Sequence, residues 1–89
     1  MVREKIIIES ALGVHLRPAR AMCDAAIKYK SHIYFEFGKG KTANAKSVLS
    51  ILASTVKCGE EIILVADGED EEAAIKDVSE KFKASLKDS

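Results

Sequence analysis

The chain has no tryptophan, one proline, two cysteines and two histidines in 89 residues, and fourteen basic side chains balance fourteen acidic ones. Each scarcity excludes something. With no net charge there is no broad field to draw nucleic acid or an anionic membrane. No apolar run approaches the roughly 20 residues of a membrane-spanning helix, and the N-terminal stretch lacks the pattern of a signal peptide. A cytoplasmic location without membrane insertion is therefore expected. Cys23 and Cys58 are far apart, form no CxxC and have no histidine at ligand spacing. Neither a disulfide nor a metal is expected of them: Cys23 reads as part of a buried helix face, Cys58 as a loop thiol near Gly59. The length suits one domain, residues 1–89, with a modest core.

The single proline is correspondingly informative. Pro18 sits in Gly13-Val14-His15-Leu16-Arg17-Pro18-Ala19. Proline is tolerated in the first turn of a helix, where its missing N–H has no partner anyway, and not deeper. A helix is thus predicted from Pro18 onward, with Ala19, Met22, Cys23, Ala26 and Ile27 at the spacing of one apolar face. It should end around Lys28 to Lys30. His15 then lies at the helix mouth, where free backbone N–H groups and the macrodipole favour a negative ligand. Arg17 adds a permanent positive charge suited to phosphate oxygens. An imidazole titrates near about pH 6.5, so a neutral, nucleophilic fraction is available at neutral pH. A nucleophile beside an anion cradle points to a group that accepts and hands on a phosphoryl unit. No cofactor is needed for that chemistry.

The remaining pattern alternates strand and helix. Val2 to Ile8 forms a β-branched first strand, and Glu9 to Val14 a loop carrying the site. His32 to Phe37 places Ile33, Phe35 and Phe37 on one face and Tyr34 and Glu36 on the other. Gly38-Lys39-Gly40 turns into a short strand through Lys41 to Ala43. A short helix is expected over Ser47 to Ala53, capped by Ser47. Glu60 to Asp67 reads as a central strand. The last helix opens with Glu69, Asp70, Glu71 and Glu72, where the helix dipole favours acids, and Ile75, Val78, Phe82 and Leu86 form its inner stripe. The order βαββαβα suits an α+β open-faced sandwich, a four-stranded antiparallel sheet with three helices on one face.

The segment around His15 resembles the active-site signature of HPr, the histidine-containing phosphocarrier of the bacterial phosphoenolpyruvate:sugar phosphotransferase system. Asn44-Ala45-Lys46-Ser47-Val48-Leu49-Ser50-Ile51-Leu52 is similar to the second signature of the same family, which opens a short helix and carries a regulatory serine in many members. The resemblance implies that enzyme I phosphorylates His15, on Nδ1, with Arg17 holding the phosphate, and that EIIA domains take it on during sugar transport. It implies that Ser47 is the position modified by HPr kinase/phosphorylase where a host has that enzyme. It implies a small docking patch of Val48, Leu49, Ile51 and Leu52, half of it core, ringed by Arg20, Lys28 and Lys46. A protein that must undock quickly is expected to be a monomer. Three departures stand out: the Gly38-to-Lys41 turn is one residue longer than is common, Ser54-Thr55 replaces Leu-Gly, and Ser50 stands where glycine is frequent. They lean toward NPr, the nitrogen-related branch of the family, as the alternative.

Other classes fit less well. An RNA-binding sheet needs exposed paired aromatics and a basic surface, whereas Phe35 and Phe37 pattern as core. A regulator acting only through the serine would not need both His15 and Arg17. An enzyme turning over a small substrate would need a deeper pocket and a second acid–base group near His15. His32 has no motif around it and reads as a strand-edge or surface residue.

Overall fold

Burial alternates along the first strand, with Val2 and Glu4 half-buried, Ile6 in the core and Arg3, Lys5 and Ile7 in solvent, as a half-buried strand requires even where the residue types do not alternate. The computed structural model describes residues 1–87. Its elements are β1 (Val2–Ile7), α1 (Leu16–Ala26), β2 (His32–Phe37), β3 (Lys41–Asn44), α2 (Val48–Ala53), β4 (Glu61–Asp67) and α3 (Glu71–Lys87). The strands form one antiparallel sheet in the order β1-β4-β2-β3. Being central, β4 buries Ile62, Leu64, Val65 and Ala66. α1 and α3 pack on each other, α3 lies over β1 and β4, and α2 packs on α1 and β3. The fold is the open-faced sandwich expected from the element order.

The core lies between sheet and helices, with Phe35, Phe82, Met22, Ile8 and Ile51 among its largest fully buried side chains. All four residues of the expected α3 stripe, Ile75, Val78, Phe82 and Leu86, are buried in it. On the opposite face, Val65 stands in register between Arg3 and Tyr34 and is fully covered. Arg3 bridges to Glu36 at 2.9 Å and Lys5 to Glu61 at 3.3 Å across that face.

Several boundaries differ from the pattern in the sequence. β1 stops at Ile7, although Ile8 remains buried and its N–H donates to the Glu60 carbonyl at 2.9 Å. α1 ends at Ala26, before the lysines, and Ile27 is its exposed C-cap rather than part of the buried face. The observed face is Pro18, Ala19, Met22, Ala25 and Ala26, with Cys23 half-buried at its margin. α3 begins only at Glu71. Asp70, just before it, turns its carboxylate back to the bend after α1 and accepts from Lys30 N–H (2.8 Å), Ser31 N–H (2.9 Å) and the Ser31 hydroxyl. Those bonds favour the anion and hold the carboxyl at about 2, below the ordinary 3.8.

Candidate phosphoryl-transfer site

The loop before α1 is held by contacts of its own. Ser10 is buried; its hydroxyl accepts from Leu12 N–H (3.3 Å) and its carbonyl from Gly13 N–H (2.9 Å), closing a tight turn. Gly13 then adopts φ +71 and presses against the Val56–Cys58 segment. A Cβ there would lie 2.6 Å from the Val56 carbonyl oxygen, so no other residue fits without parting the two segments. Val14 N–H donates to the same carbonyl at 3.0 Å, and Gly59 N–H to Ile8 O at 2.7 Å. His15 thus leaves a fixed loop.

His15 is the N-cap of α1, with extended backbone (φ −104, ψ −171), and its carbonyl accepts from Ala19 N–H at 3.0 Å. No side chain caps this helix and no acid stands in its first turn. Pro18, third in the helix, has no N–H to offer. The amides of Leu16 and Arg17 are therefore the free donors at the helix start. The His15 ring is half-buried, and its Nε2 is enclosed without a hydrogen-bond partner among the described residues. His15, Arg17 and Arg20 line one open depression with Leu16, Ala21, Asp24 and Ser85, about 650 Å³ in volume. Its shallowness leaves room for a group presented by another protein rather than for an enclosed small substrate.

Ser47 is the N-cap of α2, and its hydroxyl accepts from Ser50 N–H at 3.2 Å. The Ser50 hydroxyl in turn accepts from Asn44 N–H at 2.9 Å, giving that unusual serine a local role in fixing the helix entry. Leu49 is 80% exposed and Val48 and Leu52 half-buried. Ile51, expected in the docking patch, is fully buried and cannot meet a partner. The expected ring of positive charge also thins. Lys28 is held by Asp77 at 3.0 Å, and Lys46 Nζ donates to the Tyr29 carbonyl at 2.7 Å. Arg20 stays exposed beside His15 and Arg17. Among the described residues no group of His, Cys, Asp and Glu could hold a metal ion, and Cys23 and Cys58 are both free thiols.

The family profile described as "PTS HPr component phosphorylation site" matches residues 2–84. The chain belongs to the HPr family. It is similar to the phosphocarrier protein HPr of Borreliella burgdorferi, with 34% identity over 84 residues, 94% of this chain and 96% of that protein. It is equally similar, at 34% over 76 residues, to the HPr-like protein Crh of Bacillus subtilis, covering 85% of this chain and 88% of that one. A solved Mycoplasma histidine-containing phosphocarrier protein superposes with a TM-score of 0.91 at 30% identity, over 96% of both chains.

Membership of the HPr family makes the chain a component of the phosphotransferase system that carries a phosphoryl group, rather than an enzyme turning over a small substrate. It leaves the residue roles to be argued from the geometry. The sequence placed His15, Arg17, Arg20 and Ser47 at helix starts or beside them, and the structure agrees. Two features were missed. Ser10 looked like an ordinary loop serine, although a serine two residues before a loop amide is a turn signal. Leu12 (73% exposed) and Leu16 (55%) add apolar surface on either side of His15 in the chain. No helix among the described residues is long and apolar enough to cross a membrane.

Proposed function

We propose that this HPr-family chain takes a phosphoryl group from phospho-enzyme I onto His15 Nδ1 and delivers it to EIIA-type acceptors. The observation that carries the reading is an imidazole whose Nε2 is enclosed without a partner, set at an uncapped helix start beside two arginines. Enclosure of Nε2 leaves Nδ1 as the nitrogen for chemistry. Its lone pair forms the new P–N bond as the P–N bond to the donor imidazole breaks, and the donor nitrogen keeps that electron pair. The phosphoryl oxygens are held by the Leu16 and Arg17 amides and the Arg17 guanidinium. Transfer to EIIA reverses the step. No group need move between the two states, which suits a cytoplasmic, monomeric carrier that docks and leaves quickly.

The test is phosphoenolpyruvate-dependent labelling with enzyme I, on wild type and on His15→Ala and Arg17→Ala. Acid-labile phosphate on wild type and none on His15→Ala is expected, with Arg17→Ala labelled at least tenfold more slowly, the loss of one charge-assisted contact of about 1.5–3 kcal/mol. Labelling of His15→Ala at the wild-type level sinks the reading. Running the same reaction with the nitrogen-branch enzyme I addresses the NPr alternative, supported by Ser50 and by Ser54-Thr55; the faster donor assigns the branch.

Ser47 carries the regulatory half of the proposal, for hosts with HPr kinase/phosphorylase. A phosphate there adds about −1.5 to −2 charge next to exposed Leu49, on the surface partners must approach. Ser47→Asp should slow phosphorylation of His15, and a rate equal to wild type removes this role.

A further inference from the structure

The protein has three arginines, Arg3, Arg17 and Arg20. Arg3 is spent on Glu36, at 2.9 Å. Arg17 and Arg20 stand three residues apart on α1, hence on one helix face, and both line the depression at His15 with no ion pair to any described residue. We propose that Arg20 is a second phosphate-holding residue: in the phosphorylated protein its guanidinium and that of Arg17 grip the phosphoryl group on His15 from one side. This rests on His15 being the phosphorylated residue, and it assigns Arg20 to the carried group rather than to the partner's surface.

Three observations converge on it. Two planar forks at i and i+3 can each present paired N–H donors to different oxygens of one phosphoryl group. The helix start supplies only two free amides because Pro18 withholds a third, so a dianion there is under-provided with donors unless side chains contribute. Asp24, one turn beyond Arg20, is the one carboxylate among the described residues lining the depression, and it makes no ion pair with Arg20. Among the described residues, no ion pair claims Arg20. Lys28, the next cation in the chain and just past the end of α1, is by contrast already held by Asp77.

The experiment separates this role from docking. Phosphoramidate transfers its phosphoryl group to imidazole as its own P–N bond breaks and ammonia departs with the electron pair, so the phosphorylated protein can be made without any partner. His15→Ala assigns the phosphorus NMR signal, since exposed His32 can also react. The second ionisation of the His15 phosphate is then titrated in wild type, Arg20→Ala and Arg20→Lys. A nearby cation favours the dianion, so Arg20→Ala should raise that ionisation by about 0.5 unit, roughly threefold in proton affinity, with Arg20→Lys in between. An unchanged titration in Arg20→Ala overturns the proposal, and if that variant also shows a raised KM against phospho-enzyme I, Arg20 is a docking residue. Should wild type refuse phosphate from phospho-enzyme I while the chemical titration still depends on Arg20, the donor assignment fails and the second guanidinium contact stands. Should phosphoramidate leave His15 unmodified, both fall.

Discussion

Gly13 and Gly40 have nearly the same backbone, φ +71 and +70, and opposite surroundings, which makes them a matched pair. Alanine at either position should cost about 1 kcal/mol for the left-handed conformation alone. At Gly40 a Cβ meets nothing within 4 Å, so the cost stops there. At Gly13 it would sit 2.6 Å from the Val56 carbonyl oxygen and 3.0 Å from Lys57 Cα, both backbone atoms that cannot step aside singly. The two segments must part, stretching the 3.0 Å bond from Val14 N–H to that carbonyl. Leaving such a bond unmade in a buried place costs about 1–3 kcal/mol. The totals are about 1 kcal/mol for Gly40→Ala and about 2–4 kcal/mol for Gly13→Ala, or Tm falls of roughly 5 and 10–25 °C in a domain of this size. Without tryptophan, thermal and urea unfolding should be followed by far-ultraviolet circular dichroism. Gly13→Ala should also slow phosphorylation of His15 at temperatures where it is still folded, while Gly40→Ala leaves it unchanged. Equal destabilisation in the two variants refutes the reasoning, because backbone conformation would then be the whole cost.

Thr55 supplies the opposite sign: it is a non-glycine residue at φ 51, just past the C-cap of α2, and Thr55→Gly should raise stability by about 1 kcal/mol. A Tm equal to or below that of wild type would show that the Thr55 hydroxyl, which donates to the Ser54 carbonyl at 2.7 Å, offsets the strain. Asp70 predicts an acid transition. Its carboxyl is held at about 2 in the folded protein against an ordinary 3.8, so its contribution is complete above about pH 4 and disappears as pH falls through about 2. Asp70→Asn should therefore be less stable than wild type at pH 7, with the difference shrinking between pH 4 and 2 in urea titrations; a difference independent of pH would show that the Ser31 and Lys30 contacts do not depend on the charge.

What was legible in the sequence was whatever a period reports. β2 is bounded by its alternation at His32 and Phe37, and α3 announces its buried stripe from Ile75 to Leu86. Pro18 and Ser47 marked helix starts because each is chemically suited to one position in a helix. α1 was harder. Judged by hydrophobicity, Ile27 outweighs Ala25, yet Ala25 is buried and Ile27 is not, because Ala25 lies one turn from Met22 on the inner face whereas Ile27 is the C-cap past the last helical residue. The site followed the same division. His15 and Arg17 could be put forward from local chemistry, and the structure places both at the start of α1 beside one depression. The fastening of their loop to the Val56–Gly59 segment is a contact between strangers in sequence, and nothing periodic encodes it. Thr55 lay between these cases: a threonine in place of a glycine was visible, and its left-handed backbone shows what the substitution costs.

The exposure of Arg17 and Arg20 is itself an argument about carriers. In the proposed relay a phosphoryl group arrives from one imidazole and leaves for another, so like bonds are exchanged, the step is near balance and any excess grip on the middle station becomes a barrier to delivery. Buried guanidinium groups would hold the dianion too well, since Coulomb attraction grows several-fold as the effective dielectric falls. Exposed ones are screened and release it. The same weighing explains why the rigid part of the site lies beneath it. Ser10, Gly13 and Val56 fix where His15 stands, so under the proposed relay no ordering cost would recur at each transfer, while the guanidinium groups proposed to meet phosphate stay exposed to water. If Arg20 holds phosphate as proposed, pulling it inward should strengthen that hold and slow the relay, and a shallow depression is what such a carrier needs.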